Sequence, residues 1–421
     1  MVMKDKVVSD EKTAQVGKKI DGAAVGGAMA GEKFDGVAAD SVAAGGGAGN
    51  SNNLFVSWLL AQQALIEHAM LEGLPTASQH APRSTERDLE QFLYDPLRAF
   101  IHDGGKRTRP ALCLLGSLLP QKNGVANVSA SADAGDADQR LVQVLDCACA
   151  FEDFQSAALI HDDIADQSEK RRGQPCMYHT QGTGVALNVG DLALISVIQR
   201  IVKSATIADD VKLKLIDLIA TTEQLTIEGQ ALDLGWARDG RWDITEEDYL
   251  YMARHKTAYY SAAAPLVAGA LCAGATQEQC ESLQNFGLQA GLAFQLQDDL
   301  LNLIGDPNKQ GKDWRSDITE AKRTLVVVRA LTQFAQTSRT QAKRARLIEL
   351  LDSNTADPDK LAEAVELLEE AGSIKYVQNY AHQLICQTKA QLTQATDAHG
   401  FNQNATDILL AMADFFIERV D

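Results

Sequence analysis

Long stretches in which apolar residues recur every three to four positions run through most of this 421-residue chain. This spacing is the signature of helices that bury one face. β-Branched residues do not cluster in alternating runs, and the nine prolines fall mostly where segments start or in loops. The pattern predicts an all-α chain with one large helical domain. The predicted helices cover residues 54–71, 86–101, 141–164, 185–202, 210–234, 245–275, 277–303, 321–336 and 359–371.

Two segments depart from the helical pattern. Residues 1–53 hold ten of the 31 glycines within their first 50 positions, many alanines and a single aromatic residue, Phe34. Such a segment buries too little apolar surface to offset its ordering entropy, so we expect a disordered tail. Residues 121–139 are rich in Ala, Ser, Asp and Gly and are predicted to be a surface insertion. The domain is therefore expected to span 54–421.

Charge and cysteine usage exclude several classes of protein. The net charge is −18 and the sequence pI is near 4.9, so no broad attraction to nucleic acid or anionic lipid is expected. The seven cysteines show no C-x-x-C spacing and fit reduced, packed thiols. The first residues lack the apolar core of a signal peptide. We expect a cytoplasmic protein.

One uncharged stretch, residues 257–277, has the length of a membrane span. It is built from Ala, Gly and Ser around Pro265, with few Leu or Ile, which favours a buried core helix. We therefore predict no transmembrane segment.

The first feature that composition does not explain is a group of aspartates at the end of an apolar helical run. Asp162 and Asp166 are four residues apart on one helix face, and Asp163 lies beside them. A divalent cation would relieve their repulsion, and oxygen-only ligands suit Mg²⁺. One such motif alone is more often a solvated acidic helix end.

A second aspartate pair makes a solvated acidic helix end the less favoured interpretation. Asp298 and Asp299 follow another uncharged helical run, and Asn302 stands where a third aspartate would complete the pattern. Two such clusters on core helices could face each other across a cavity and hold several metal ions between them.

Four basic motifs supply the complementary charge. They are Gly104–Pro110 (GGKRTRP), Arg171-Arg172, Lys256-Thr257, and the run that contains Lys312 and Lys322. The glycine pair lets a phosphate approach closely, and Lys and Arg are its usual partners. In so acidic a chain, these motifs indicate two anionic ligands, one of them bridged by Mg²⁺.

In motif order the chain resembles the all-trans isoprenyl diphosphate synthase family, which includes geranylgeranyl and longer polyprenyl diphosphate synthases. The motifs, between about residues 89 and 324, are GGKRTRP, DDIAD…RRGQP, GQALDL, HKT, FQLQDDLLN and GK…SD…KRT. The resemblance implies a single bundle of long antiparallel helices around a deep central cavity, and a homodimer. It also implies condensation of isopentenyl diphosphate with an allylic diphosphate.

The resemblance assigns roles by position. Isopentenyl diphosphate would be held by Gly105, Lys106, Arg109, Arg172 and Gln155. Three Mg²⁺ would be bound by Asp162, Asp163, Asp166, Asp298 and Asp299. The allylic diphosphate would meet Arg171, Lys256 and Lys312, with Lys322 and Asp317 behind them. Gln230, Thr257 and Gln295 would flank the reacting carbons. Asn302 departs from the family pattern, and we expect it to weaken metal binding without abolishing it.

The implied chemistry needs no protein nucleophile. Departure of diphosphate develops negative charge that Mg²⁺, Lys and Arg would stabilise. The isopentenyl double bond then attacks the allylic cation, and the released diphosphate can accept the final proton. His161 and His255 are therefore interpreted as structural neighbours of the motifs.

Product length follows from the residues beneath the first aspartate motif. Ala158 and Ala157 lie about one turn, or roughly 5.4 Å, before Asp162. Bulky residues there block chain growth in the resembled family, so two alanines predict products of C20 or longer. Phe154 and Phe151, further down, could form a floor, and Ala157→Phe is expected to shorten the product.

Two alternatives remain open on sequence alone. A class I terpene cyclase also uses an aspartate motif and Mg²⁺, but it would not need the GGKRTRP motif and would carry an N-x-x-x-S-x-x-x-E-type motif. A non-catalytic subunit of a heteromeric synthase would usually lack one or both aspartate pairs, whereas both are present here.

Overall fold

The computed structural model describes residues 53–77, 81–120, 133–305 and 314–419, with only the backbone for 133–139. Residues 1–52 of the predicted disordered tail lie outside the described residues, as does most of the predicted insertion, and residue 53 caps the first helix. In the described part, the helices are α1 Leu54–Glu72, α2 Arg83–Leu89, α3 Asp95–His102, α4 Thr108–Leu118, α5 Asp133–Ala165, α6 Met177–Gln181, α7 Thr183–Lys203, α8 Asp209–Arg238, α9 Glu246–Ala253, α10 Ala264–Cys272, α11 Gln277–Ile304, α12 Ser316–Thr319, α13 Leu325–Ala335, α14 Gln341–Asp352, α15 Pro358–Glu370, α16 Ser373–His399 and α17 Gln403–Glu418.

Two π-helical stretches interrupt the α-helices. Glu90–Tyr94 (π1) joins α2 to α3, and Arg254–Ala263 (π2) joins α9 to α10. The two short strands Lys170–Arg171 (β1) and Gln174–Pro175 (β2) form an antiparallel hairpin. The described chain is all-α apart from this hairpin and one isolated bridge, so the predicted fold class is confirmed.

Each predicted helix is present, with shifted ends. Helix α5 begins at Asp133, inside the segment predicted to be an insertion up to residue 139. Residue 321 has a positive φ of 51°, so α13 begins at Leu325 instead of 321, where Thr324 caps it. Helices α4, α14, α16 and α17 were not among the predicted segments.

Side-chain caps fix where several helices begin. Asn53 Oδ1 accepts from the N–H of Phe55 at 2.9 Å at the start of α1. Thr245 with Asp248, and Thr276 with Gln279, form reciprocal capping boxes at α9 and α11. These caps set the registers of helices that carry candidate site residues.

The helices pack around two adjoining cores. In the first, α5 packs along α7 and α4 packs between α5 and α10. In the second, α11 packs against π2 and α16, with α13–α15 behind it. The candidate site lies where α5, α8, π2 and α11 meet.

The wide π2 helix fits because its neighbours carry glycine. A Cβ on Gly229 of α8 would lie 2.2 Å from the Lys256 backbone N, and one on Gly291 of α11 would lie 2.8 Å from Ala258 Cα. The backbones therefore approach more closely than side chains would allow.

Two described helices, α1 and α7, are long and apolar enough to cross a membrane by composition alone. Both also place residues in the first core, for example Phe55 and Ile66 of α1 and Val189 of α7. Of the uncharged stretch 257–277, residues 257–272 lie in π2 and α10, and residues 261–270 are all buried.

Candidate active site

The hairpin after α5 returns a cation to the first aspartate motif. Asp163 is 2% exposed, and Arg171 of β1 donates to its Oδ1 through Nε at 2.9 Å and through Nη2. Arg172 follows with a positive φ of 52° and turns the other way, so that its guanidinium reaches the Phe100 carbonyl at 3.0 Å. The adjacent Arg171 and Arg172 therefore contact different parts of the structure, the first aspartate motif and α3 respectively.

The other two carboxylates of the motif contact other helices. Gln230 of α8 donates to Asp162 Oδ1 at 2.7 Å. Lys322 donates to Asp166 Oδ1 at 2.9 Å. The first motif is therefore tied both to α8 and to the turn before α13.

Asp233, on α8, is the centre of a charge network. It accepts from Lys256 Nζ at 2.6 Å and from Lys322 Nζ at 3.3 Å. Burial alone would raise the pKa of Asp233, but the two ammonium groups outweigh burial and lower it to about 2. Burial favours neutral lysine, yet Asp233 and Asp162 raise the pKa of Lys256, and Asp233 and Asp166 raise that of Lys322. Asp233 and both lysines are therefore held in their charged forms, and Lys322 links Asp233 to Asp166.

The second aspartate motif is buried against π2 and α9. Asp299 is 5% exposed and accepts hydrogen bonds from Tyr249 Oη and, at 2.7 Å, from Gln295 Nε2. Gln295 in turn accepts from Thr257 Oγ1 at 2.7 Å. Burial, with smaller contributions from the nearby charges of Asp298 and Asp233, raises the pKa of Asp299 to about 7, although the two hydrogen bonds act to lower it.

Asp298 faces a different helix from its neighbour. Its Oδ1 accepts from Nη2 of Arg419, which follows α17. The side chain of Asp298 is 42% exposed, whereas that of Arg419 is 6% exposed.

The two motifs are thus parts of one polar assembly. Lys256 and Thr257 are adjacent in π2, and they join Asp233 on one side to Gln295 and Asp299 on the other. The first motif joins this assembly through Asp166, which shares Lys322 with Asp233. Asp163 and Asp299 are both buried.

The carboxylates of the two aspartate motifs are the candidate ligands of the predicted magnesium. Within the described ranges, no three His, Cys, Asp or Glu side chains form a group arranged to hold a metal. The carboxylates are hydrogen-bonded to Arg171, Lys322, Gln230, Tyr249 and Arg419 instead. The aspartate oxygens themselves are the hard ligands that Mg²⁺ prefers. They come from the ends of α5 and α11, which contribute to one assembly, and so they fit Mg²⁺ in ligand chemistry.

The GGKRTRP loop separates its cations by function. Arg107 is 4% exposed and donates to Glu152 at 2.9 Å and to the Ile101 carbonyl at 2.7 Å, so it is structural. Arg109 donates to Ser261 Oγ at 2.7 Å and lies over the Tyr260 ring.

The same loop lies beside Arg172. A Cβ on Gly105 would lie 3.2 Å from an Arg172 nitrogen and 3.3 Å from Glu152 Oε1, and φ at Gly105 is +145°. Lys106 is exposed at this turn. The structure therefore places Gly105 beside Arg172, with Lys106 next to Gly105 in the chain.

Two glutamines of the predicted site have unsatisfied oxygens. Gln155 Oε1 and Gln230 Oε1 are buried and have no hydrogen-bond partner among the described residues. An unpaired buried carbonyl oxygen is unfavourable and indicates a missing donor or cation.

The predicted chain-length residues lie on two faces of α5. Ala158 is partly exposed, like Gln155 and Asp162, whereas Ala157 is 1% exposed in the first core. Phe154 is 6% exposed, and its ring meets the Tyr260 ring edge-on, with centroids 5.3 Å apart. The contact joins α5 to π2.

Two further positions singled out from the sequence are Lys312 and Asn302. Lys312 lies outside the described residues. Asn302 donates to Ser316 Oγ at 3.1 Å and accepts from the N–H of Asp317 at 3.1 Å, so its amide holds the short helix α12.

No role was predicted from the sequence for Asp233, Tyr249 or Arg419. Asp233 lies inside the GQALDL motif, which could have singled it out. Tyr249 and Arg419 are 50 and 121 residues from their aspartates, and no local pattern marks them.

Fold and site together define a class of all-α proteins in which two aspartate-bearing helices flank lysine, arginine and glutamine side chains. A model of the family described as Polyprenyl synthetase matches residues 90–368, well over half of the chain. The chain belongs to the polyprenyl synthetase family, as the resemblance indicated.

Curated relatives agree with this assignment. A short chain isoprenyl diphosphate synthase of Methanothermobacter thermautotrophicus is 34% identical over 77% of this chain and 90% of its own length. A geranylfarnesyl diphosphate synthase of Natronomonas pharaonis is 32% identical over 84% of this chain and 98% of its own length.

Solved structures share the fold. Geranylgeranyl pyrophosphate synthetase of Pyrococcus horikoshii aligns with a TM-score of 0.70 at 26% identity, over 87% of this chain and 98% of its own. A geranylgeranyl pyrophosphate synthase of Corynebacterium glutamicum, complexed with isoprenyl diphosphate and magnesium, aligns with a TM-score of 0.68 at 27% identity, over 87% and 96%.

Proposed function

We propose that this chain is an all-trans polyprenyl diphosphate synthase that condenses isopentenyl diphosphate with an allylic diphosphate into products of C20 or longer. The observation that carries the proposal is the hydrogen-bonded polar assembly between the two aspartate motifs, with Lys256 and Thr257 at its centre. Relatives named for C20 and C25 products support the length.

The acidic half of the site would take the allylic diphosphate with three Mg²⁺. The metal-binding residues are Asp162, Asp163, Asp166, Asp298 and Asp299. Bound Mg²⁺ would supply Lewis-acid stabilisation of charge on the leaving diphosphate. Arg171 and Lys256 are held beside the carboxylates and would bind the same diphosphate, together with Lys312. Lys322 would position Asp166 and Asp233.

The basic half would hold isopentenyl diphosphate. Gly105, Lys106, Arg109 and Arg172 would surround its phosphates, because the loop and the hairpin meet there. Gln155, whose buried oxygen has no hydrogen-bond partner in the described part of the chain, would complete this half of the site.

Two glutamine amides and a threonine hydroxyl between the two halves would face the reacting carbons. Thr257 and Gln295 are fixed to each other and to Asp299, and Gln230 is fixed to Asp162. Such fixed dipoles can stabilise an allylic cation without forming a covalent bond to it. Released diphosphate would accept the proton.

The growing chain would extend down a deep central cavity along α5. Ala158 faces the same side as Asp162 and leaves that side open for a turn. Phe154 and Tyr260, packed edge-on, would close the path further down.

Apolar residues at the surface support the predicted homodimer. On α7, Leu187, Ile195 and Val202 are 43–53% exposed; on α8, Leu213 and Ile227 are 72% and 63% exposed. Burial of two neighbouring apolar faces against a second copy is favourable. We further propose that residues 54–421 form one domain and that the enzyme is cytoplasmic.

Product analysis tests the proposed function. Purified chain is incubated with labelled isopentenyl diphosphate, farnesyl diphosphate and Mg²⁺, and the dephosphorylated products are separated by length. Labelled C20 or longer alcohols are expected. A class I cyclase would leave the isopentenyl label unused, and a non-catalytic subunit would give no product.

A further inference from the structure

We propose that Arg419 is a positioning residue that orients Asp298 for metal binding. This inference rests on the proposed function, since it takes Asp298 as a magnesium ligand. The observation is that a buried guanidinium outside every recognised motif grips one oxygen of this carboxylate.

Arg419 is fixed independently of Asp298. Its Nη2 also donates to the Phe294 carbonyl at 3.1 Å, and its Nε donates to the Phe416 carbonyl at 3.3 Å. The guanidinium carbon lies 4.0 Å from the centroid of the Phe294 ring, and this ring packs edge-on against Phe416. Gln297, next to Asp298, donates to the Arg419 carbonyl at 3.0 Å. The arginine is therefore the rigid partner of the pair.

Asp298 is the adjustable partner. Its side chain is 42% exposed, and among the described residues only Oδ1 receives a hydrogen bond. One oxygen is thus held, while Oδ2 receives no hydrogen bond from the described residues. Carboxylates that bind metals are themselves commonly hydrogen-bonded, and removal of such a supporting partner weakens metal affinity about 10–100-fold.

The geometry also ties the last described helix to the site. Arg419 ends α17, and α17 packs on α1, α11 and α16. The second aspartate motif therefore has its outer carboxylate oriented by the end of α17, and its inner carboxylate, Asp299, by Tyr249 of α9.

Metal binding by the full-length chain tests the proposal without an activity readout. Mn²⁺ alone is titrated into wild type, Arg419→Gln, Asp298→Asn and the double variant, and free Mn²⁺ is followed by electron paramagnetic resonance. We expect Arg419→Gln to weaken one class of site about 10–100-fold. The double variant should bind no more weakly than Asp298→Asn, because Arg419 acts through that carboxylate.

Arg200 provides a matched control. It is also a buried arginine, bound to Asp153 and, at 2.9 Å, to the Met70 carbonyl, but it lies away from both aspartate motifs. Arg200→Gln should lower the melting temperature and leave Mn²⁺ affinity unchanged. If Arg419→Gln does not fold, Arg419→Lys carries the test, since lysine keeps the charge without the planar fork and should weaken the site less.

Three results would overturn the inference. They are wild-type affinity in Arg419→Gln, tighter binding in that variant (which would make the guanidinium a competitor of the metal), or additive losses in the double variant. If wild-type protein itself bound no Mn²⁺, the proposed metal site would fail, and that outcome is distinguishable from failure of Arg419 alone.

Discussion

Replacement of Asp233 by Asn tests whether the charge network at the centre of the site is as strong as its geometry indicates. Asp233 is 4% exposed and neutralises two ammonium groups, those of Lys256 and Lys322. A carboxyl whose pKa is about 2 when folded and 3.8 when exposed stabilises the fold by about 2 kcal/mol at neutral pH. Removal of one partner of a buried pair commonly destabilises by about 3–5 kcal/mol. We expect Asp233→Asn to lose about 2–4 kcal/mol of unfolding free energy.

The pH dependence gives the sign of the effect. Because the folded pKa of Asp233 lies below its exposed value, its contribution is fully present above pH 4 and declines as the pH falls from about 4 towards 2. The stability difference between wild type and variant should therefore be constant from pH 7 to 5 and shrink below pH 4. Urea unfolding at fixed protein concentration measures it.

Catalysis should respond as well, because Lys256 would lose the group that fixes its ammonium. We expect kcat to fall by about tenfold to a hundredfold. Asp239→Asn is the control, since Asp239 pairs with Arg238 at the exposed end of the same helix and should change neither quantity. Equal stability of Asp233→Asn and wild type at pH 7 would refute the argument.

Three further predictions concern other parts of the molecule. Ala158→Phe should shorten the product, because the ring would enter the path beneath Asp162, and chain-length analysis would contradict this if the product distribution were unchanged. Burial raises the pKa of Glu223 to about 7, and one of its oxygens has no hydrogen-bond partner within the described ranges. Wild-type stability should therefore fall as the pH rises from about 4.5 to 7, and Glu223→Gln should flatten the profile by about 1 kcal/mol after allowance for solvent access, measured by thermal unfolding across that range. Leu213→Glu should make the dimer monomeric, as judged from the molar mass measured by light scattering. Phe92→Glu, the control at an exposed residue elsewhere, should leave the dimer intact.

The sequence predicted the helices well because apolar periodicity is a local property. The predicted helix 245–275 is a continuous helical rod over residues 246–272, but its middle is π2. Nothing in the spacing of its side chains reveals the wider turn, since its closeness to Gly229 depends on how α8 packs against it.

The site divides in the same way. Asp162, Asp298 and Arg171 were found because each belongs to a short motif with its own spacing. Tyr249 and Arg419 are joined to the aspartates only by helix packing, so no window of sequence contains both partners. Asn302 was interpreted as a weakened metal ligand, yet its amide is engaged with α12, and its effect on metal affinity stays a prediction.

The π-helix at residues 254–263 also bears on how this chain can vary in length. A π turn holds more residues than an α turn, so the stretch can absorb the loss of one residue by tightening towards an α-helix, and α10 would keep its facing. The same loss within a plain α-helix would rotate every later side chain by roughly 100°. Single-residue deletions in the π stretch should therefore disturb mainly the contacts made there, such as Ser261 with Arg109 and Tyr260 with Phe154, and should be tolerated better than deletions in the α-helices on either side.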